Sequence, residues 1–168
     1  MTLLNKKGQI FSTDLMLASI IFLLILTTAT VYGNQVANRI YFMEQNSEMR
    51  QTGQQAANGL VLTSGNPANW QNQTVENIQS IGLANSANNL KKNKVQHLAS
   101  LASSDYEDVK SILGVAKFDF RLEIISMLDN FTVESFGASP GSESSVVSIN
   151  RIAFYDGNNV IVRLKVFE

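Results

Sequence analysis

From Leu15 to Tyr32 the chain reads LMLASIIFLLILTTATVY, eighteen residues without a charge or a proline. As an α-helix this run rises ~27 Å, close to the hydrocarbon thickness of a bilayer. Two other readings compete with a membrane span. A secretory signal peptide has an apolar stretch of about 7–15 residues ending at a small-residue cleavage site. Here the candidate small residues, Thr27 and Ala29, lie inside the apolar run. A buried core helix is the other reading, and eighteen uninterrupted apolar or hydroxyl residues favour the span over it.

Composition narrows the function classes. The chain has 168 residues, 16 % of them charged, with a formal net charge of −1. No positive excess is available to neutralise a phosphate track, so nucleic-acid binding is not expected. Cysteine is absent and His97 is the single histidine. Thiolate metal sites, disulfide scaffolds and multi-histidine centres are thereby excluded. No catalytic, cofactor-binding or metal-ligating set is expected. Asp105, Glu107 and Asp108 read as helix-start acids, and Asp156-Gly157-Asn158-Asn159 reads as a turn that lacks the other positions of a calcium loop. No phosphate-cradling glycine loop and no nucleophile elbow occurs, so the chain is not expected to be an enzyme.

Lys6 and Lys7 precede the span, and no charge follows it until Arg39. The positive-inside bias therefore expects a cytoplasmic N-terminus, with everything beyond Tyr32 outside. Between lysines and span stands Lys6-Lys7-Gly8-Gln9-Ile10-Phe11-Ser12-Thr13-Asp14-Leu15. Asp14 against an apolar run is explained at its simplest by the positive end of a helix dipole near headgroups.

This stretch resembles the archaeal type IV pilin-like proteins that carry a class III signal peptide. The resemblance implies that a prepilin peptidase cuts between Gly8 and Gln9, after the basic pair Lys6 and Lys7, leaving the apolar helix on the mature chain. Counted from Gln9, Leu17 is ninth, as in the family, while Ser12 is fourth and Asp14 sixth, each one place later than the usual serine and acid. The resemblance further implies that Asp14, Leu15 and Leu17 take part in subunit assembly. Asp14 would pair with the α-amino group of a neighbouring subunit. Implied partners are the membrane, the peptidase, other pilin-like subunits and the pilus assembly platform. The phrase LVLTSGNPANW is also similar to a turn that the family places after its long helix.

The remainder reads as follows. Residues 35–62 continue the helix, with a polar stretch from Glu44 to Gln55 that forms an exposed neck or breaks it at Gly53. A loop from Thr63 leads to Trp70, expected as a core anchor. Thr74 is expected to cap a helix over 75–81 that stops at Gly82. Leu90 to Leu101 reads as another helix, with His97 solvated on it. Ser104 and Glu107 form a candidate capping box for a helix ending at Gly114. Residues 118–124 alternate as a half-buried strand, 131–136 form a weaker one, and 146–155 with 160–167 flank the turn at Asp156 as a hairpin.

The expected fold class is α+β, a long N-terminal transmembrane or pilin helix packed on short helices and a C-terminal antiparallel sheet of about four strands. The expected division is a cytoplasmic leader over 1–8, a transmembrane or filament-core helix over 9–33, a helical extension over 34–62 and an extracytoplasmic head over 63–168. Sequons at Asn72 and Asn130 are N-glycosylation sites in the permissive sense only. The expectation is thus a structural subunit of a surface filament, a single-pass membrane protein before assembly. The alternative is an unprocessed, signal-anchored extracytoplasmic binding module.

Overall fold

The computed structural model describes residues 6–142 and 144–168, with side chains from Thr13 onward. One helix, α1, runs from Lys6 to Leu62. The chain divides into two compact units, Met1–Glu44 and Gln45–Glu168. Among the described residues, the first unit is α1 from Lys6 up to Glu44. Gly33 interrupts nothing there, and no neighbour lies within 4 Å of where its Cβ would stand.

The second unit begins with the last turns of α1 and has its own core. It contains a ribbon of β1 (Gly65–Asn66) and β2 (Ser80–Ile81), then β3 (Ala84–Ser86), β4 (Asn89–Leu90), α2 (Lys92–Ser104) and α3 (Tyr106–Ile112). Four longer strands follow, β5 (Asp119–Ser126), β6 (Thr132–Gly137), β7 (Val146–Tyr155) and β8 (Asn158–Phe167). The main sheet has six strands in the order β3-β4-β7-β8-β5-β6. This corrects the expectation of about four. The four long strands sit where the alternation puts them, and the sheet is extended at one edge by β3 and β4. Those two strands come from the asparagine-rich stretch Ala84–Leu90, which has no alternating pattern to read. The pair β4–β7 is parallel and the other pairs are antiparallel, so the sheet is mixed.

Strand alternation decides which face is covered. In register, Phe120 lies opposite Val166, Leu122 opposite Leu164 and Ile124 opposite Val162, with Val147 and Ile149 continuing two of these rows on β7. All are buried, and they meet Met49, Ala57, Leu60 and Val61 of α1, Val95 and Leu98 of α2 and Val109 of α3 in one core. A fully buried side chain of this size contributes about 1.5–3 kcal/mol, so this face accounts for most of the unit's cohesion.

The stretch Glu44 to Gln55 is helical throughout. Gly53 therefore does not break it; Met49 and Gly53 are buried within it, while most of its other residues are exposed. Gly53 is where helix and sheet approach closely. A Cβ there would stand 2.5 Å from Ile149 Cδ1 and 3.1 Å from Val166 Cγ2.

Trp70 anchors the loop after α1. Its ring is fully buried, and its indole N–H donates to the Gly82 carbonyl at 2.8 Å. Gly65 permits the ring's approach, since a Cβ there would lie 2.6 Å from Trp70 Cδ1, while Gly82 leaves room for the Thr63 carbonyl. The expected helix over 75–81 is instead a short 3-10 turn, Val75–Asn77, followed by β2. Backbone pairing explains the change: Gln79 N–H donates to Asn66 O at 2.9 Å, and Ile81 pairs with Gly65. Tertiary pairing outweighs local helix preference here.

The helix expected over Leu90 to Leu101 is displaced to Lys92–Ser104, because Leu90 is held in β4. The expected capping box is not formed. Asp105 occupies the N-cap of α3 without a side-chain cap, and Ser104 ends α2 with its hydroxyl bonded to Ser100 O at 3.3 Å. The β7–β8 connection is a two-residue turn, Asp156-Gly157, with φ of 47° and 86°. Positive φ at both positions gives the tight turn that matches strand twist.

Candidate functional site

The apolar run forms an exposed helical surface. Leu15 is 67 % exposed and Leu17 59 %, and Ile20 through Leu26 are exposed without exception. The apolar window has a mean hydropathy of 2.3 and none of it is buried. Its hydroxyl groups are turned back onto the helix. Ser19 donates to Leu15 O at 2.8 Å, Thr28 to Leu24 O at 2.6 Å, Thr30 to Thr27 O at 2.8 Å, and Thr27 donates to Leu23 O. Each hydroxyl proton is satisfied within the helix, so the surface presented outward behaves as apolar despite its threonines. Between Ile21, Leu24, Ile25 and Tyr32, the small side chains of Thr28 and Ala29 leave a shallow apolar groove.

The exposed apolar surface extends past Tyr32. Val36, Ile40, Tyr41, Phe42 and Met43 are also exposed, interleaved with Asn34, Gln35, Asn38 and Arg39. Val36, Ile40 and Met43 recur at helical spacing in the sequence, a pattern that gives no sign of staying uncovered. Asp14 is exposed at the start of the run, one turn before Leu17. Lys6, Lys7, Gly8 and Gln9 lie on the helical backbone of α1, and their side chains are outside the described residues.

The second surface of interest is the outer face of the sheet. Side chains alternating with the core rows form two rows across the sheet, Arg121 beside Lys165 and Lys165 beside Ser148, then Glu123 beside Arg163 and Arg163 beside Asn150. Three cations surround the one carboxylate. Glu123 lies 2.7 Å from Lys165 Nζ, 3.3 Å from Arg121 Nε and 3.5 Å from Arg163 Nη1, and its side chain is only 13 % exposed. Burial by itself would raise the Glu123 pKa, but the hydrogen bond from Lys165 and the charges of Lys165, Arg163 and Arg121 hold it below the ordinary carboxylate value. Strand period and charge type made these residues legible one by one. Their convergence depends on the β5–β8 register, which no sequence pattern specifies.

Other candidates are structural or solvated. Asp105, Glu107 and Asp108 line the start of α3, where Glu107 pairs with Lys110 at 3.3 Å. Asp156 pairs with Lys92 at 2.7 Å. Among the described residues, no group of three His, Cys, Asp or Glu side chains is placed to hold a metal ion. His97, expected to be solvated, is half-buried, its ring 5.7 Å from that of Trp70. Lys94 is 2 % exposed, a burial that no sequence signal announced. Its ammonium donates to Ser64 O at 2.6 Å and Ala84 O at 3.4 Å, bracing the loop after α1. Burial, and next the Lys91 charge, lower its pKa. Asn72 and Asn130 are both exposed, Asn130 at the tip of the β5–β6 hairpin with φ 55°.

Compared with protein-family models, curated proteins and solved structures, the chain matches none. What fold and surface define is therefore a class. This is an α+β protein whose N-terminal helix is long and apolar enough to cross a membrane, with a separate packed unit after it.

Proposed function

We propose that the chain is a structural subunit of an archaeal type IV pilus-like surface filament, made as a membrane-anchored precursor and assembled through its N-terminal helix. The carrying observation is an uncovered, charge-free apolar helix surface continuous in one helix with a self-contained packed unit. Such a helix leaves lipid only if another apolar environment receives it, and a bundle of like helices supplies one. The Lys6-Lys7-Gly8-Gln9 junction supports processing between Gly8 and Gln9 by a prepilin peptidase. Trimming there exposes an α-amino group at Gln9, which Asp14 of a neighbouring copy neutralises. Unpaired, that carboxylate would be costly inside a helix bundle. Lys6 and Lys7 hold the leader at the cytoplasmic side, which directs the packed unit outward. The chain performs no catalysis in this reading, and its working partners are the peptidase, an assembly platform and further subunits.

The test is assembly. In cells supplying the peptidase and assembly platform, shearing releases the wild-type chain as sedimentable filaments visible by electron microscopy. A charge placed in the apolar helix surface, Leu17→Lys, leaves the chain in the membrane fraction. Recovery of wild-type and variant chains alike as membrane-bound monomers would overturn the reading, and the chain would then be a signal-anchored module.

A further inference from the structure

The outer sheet face bears more positive charge than it neutralises. Arg121, Arg163 and Lys165 share the single carboxylate of Glu123, leaving two positive charges in excess. Arg121 and Arg163 are otherwise held only by neutral groups, Ser139 Oγ at 2.8 Å and Asn150 Oδ1 at 3.2 Å. No helix of the second unit covers this face, because α1, α2 and α3 all contribute to the core on the other side. Beside the cationic band lies an exposed apolar one, Val133, Ile152 and Phe154.

The helical layer carries the opposite imbalance. Asp105, Glu107 and Asp108 crowd the first turn of α3, and Glu107 and Asp108 are exposed. The nearest cation, Lys110, is shared between Glu107 at 3.3 Å and Asp119 at 3.1 Å. Tyr106 stacks on Phe120 with ring centroids 5.2 Å apart, which fixes α3 on the core side of β5. Arg121 and Glu123 point to the other side by strand alternation. Surplus cations thus lie on the outer sheet face and surplus carboxylates at the start of α3, with Asp119 reaching Lys110 from the first position of β5.

We propose that these surfaces meet in trans, the outer sheet face of one copy receiving the acidic first turn of α3 from the next. A two-fold arrangement would set the cationic band against itself and is disfavoured by like-charge repulsion. A head-to-tail arrangement pairs unlike charges, and where its rotation closes no ring it propagates along a filament. Exposed ion pairs are individually weak and screened by salt. Copies held side by side by their helices meet at high effective concentration, so a weak contact suffices to set their spacing. The proposal rests on the filament reading and adds the surface that sets the register between packed units.

The absence of cysteine makes a direct test available. Full-length Ser148→Cys, on the outer sheet face, is coexpressed in cells with a differently tagged Ser111→Cys chain, beside the acidic turn. A short bismaleimide then links copies in intact membranes. The expected result is a mixed Ser148→Cys/Ser111→Cys product at least tenfold more abundant than the Ser148→Cys homodimer. Adding Glu107→Lys and Asp108→Lys to the Ser111→Cys chain cuts it several-fold. Both positions are exposed, and because Glu107 also pairs with the buried Lys110, an unchanged circular dichroism melt checks that the fold is kept. Adding Arg163→Glu and Lys165→Glu to the Ser148→Cys chain, with Glu123→Lys so that the cluster keeps opposite charges, restores the product, and its melt is checked in the same way. A predominant Ser148→Cys homodimer, a yield indifferent to charge reversal, or crosslinks only to another protein would overturn the proposal. The mature N-terminus, measured on the same samples, separates the two failures. Processing without the mixed product sinks this contact alone, and the mixed product without processing sinks the filament reading alone.

Discussion

Glu123 shows how a single carboxylate organises one face of the sheet. Its folded pKa lies below the unfolded value because three cations outweigh the cost of burial. A carboxyl shifted in that sense contributes stability that is complete above its unfolded pKa of about 4.3 and is lost as pH falls through the lower folded value. Glu123→Gln is therefore expected to lower the denaturant midpoint at pH 7, where it leaves Arg121, Arg163 and Lys165 facing one another. The gap to wild type should narrow as pH is taken below about 4, where the wild-type carboxyl also takes up a proton. Denaturant titrations of both proteins at several pH values check this. A gap that does not change with pH would mean the ion cluster contributes nothing beyond packing. At the same scale, Trp70 was legible because the single tryptophan of a small domain is usually packed. Lys94 was not, because the carbonyls that hold it come from Ser64 and Ala84, far along the chain.

At the scale of elements, the end of α1 contains two glycines with opposite roles. Gly53 faces the sheet at a distance that leaves no room for a larger side chain, while Gly59 has no neighbour within 4 Å of its Cβ position. Gly59→Ala is expected to raise unfolding stability by about 0.5–1 kcal/mol, through helix propensity and a less free unfolded chain. Gly53→Val is expected to lower it by about 1–3 kcal/mol by overpacking against Ile149 and Val166. Chemical denaturation of the two variants measures both, and a shared sign would contradict the packing. Helix propensity alone assigns both glycines the same weakening, because the difference lies in what the helix packs against. The long strands were readable from alternation, and the turn at Asp156-Gly157 from its residue types. The strands of two or three residues were not, since elements that short carry no period and exist only through pairing, β1 with β2, β3 with β4 and β4 with β7.

For the whole molecule, the sequence was most informative where one physical demand overrides context. An eighteen-residue uncharged apolar run has to be helical and has to be covered by something, and in this chain nothing among the described residues covers it. The anchoring surface was therefore legible at once. The uncovered sheet face was not, because exposure of one face is decided by the placement of all three helices. The account's central claim is that the helix belongs to a processed filament subunit, and the mass of the mature N-terminus tests it most directly. Coexpressed with an archaeal prepilin peptidase, the wild-type chain should yield an N-terminal peptide beginning at Gln9, and Gly8→Val should not. Retention of residues 1–8 in both would contradict the claim.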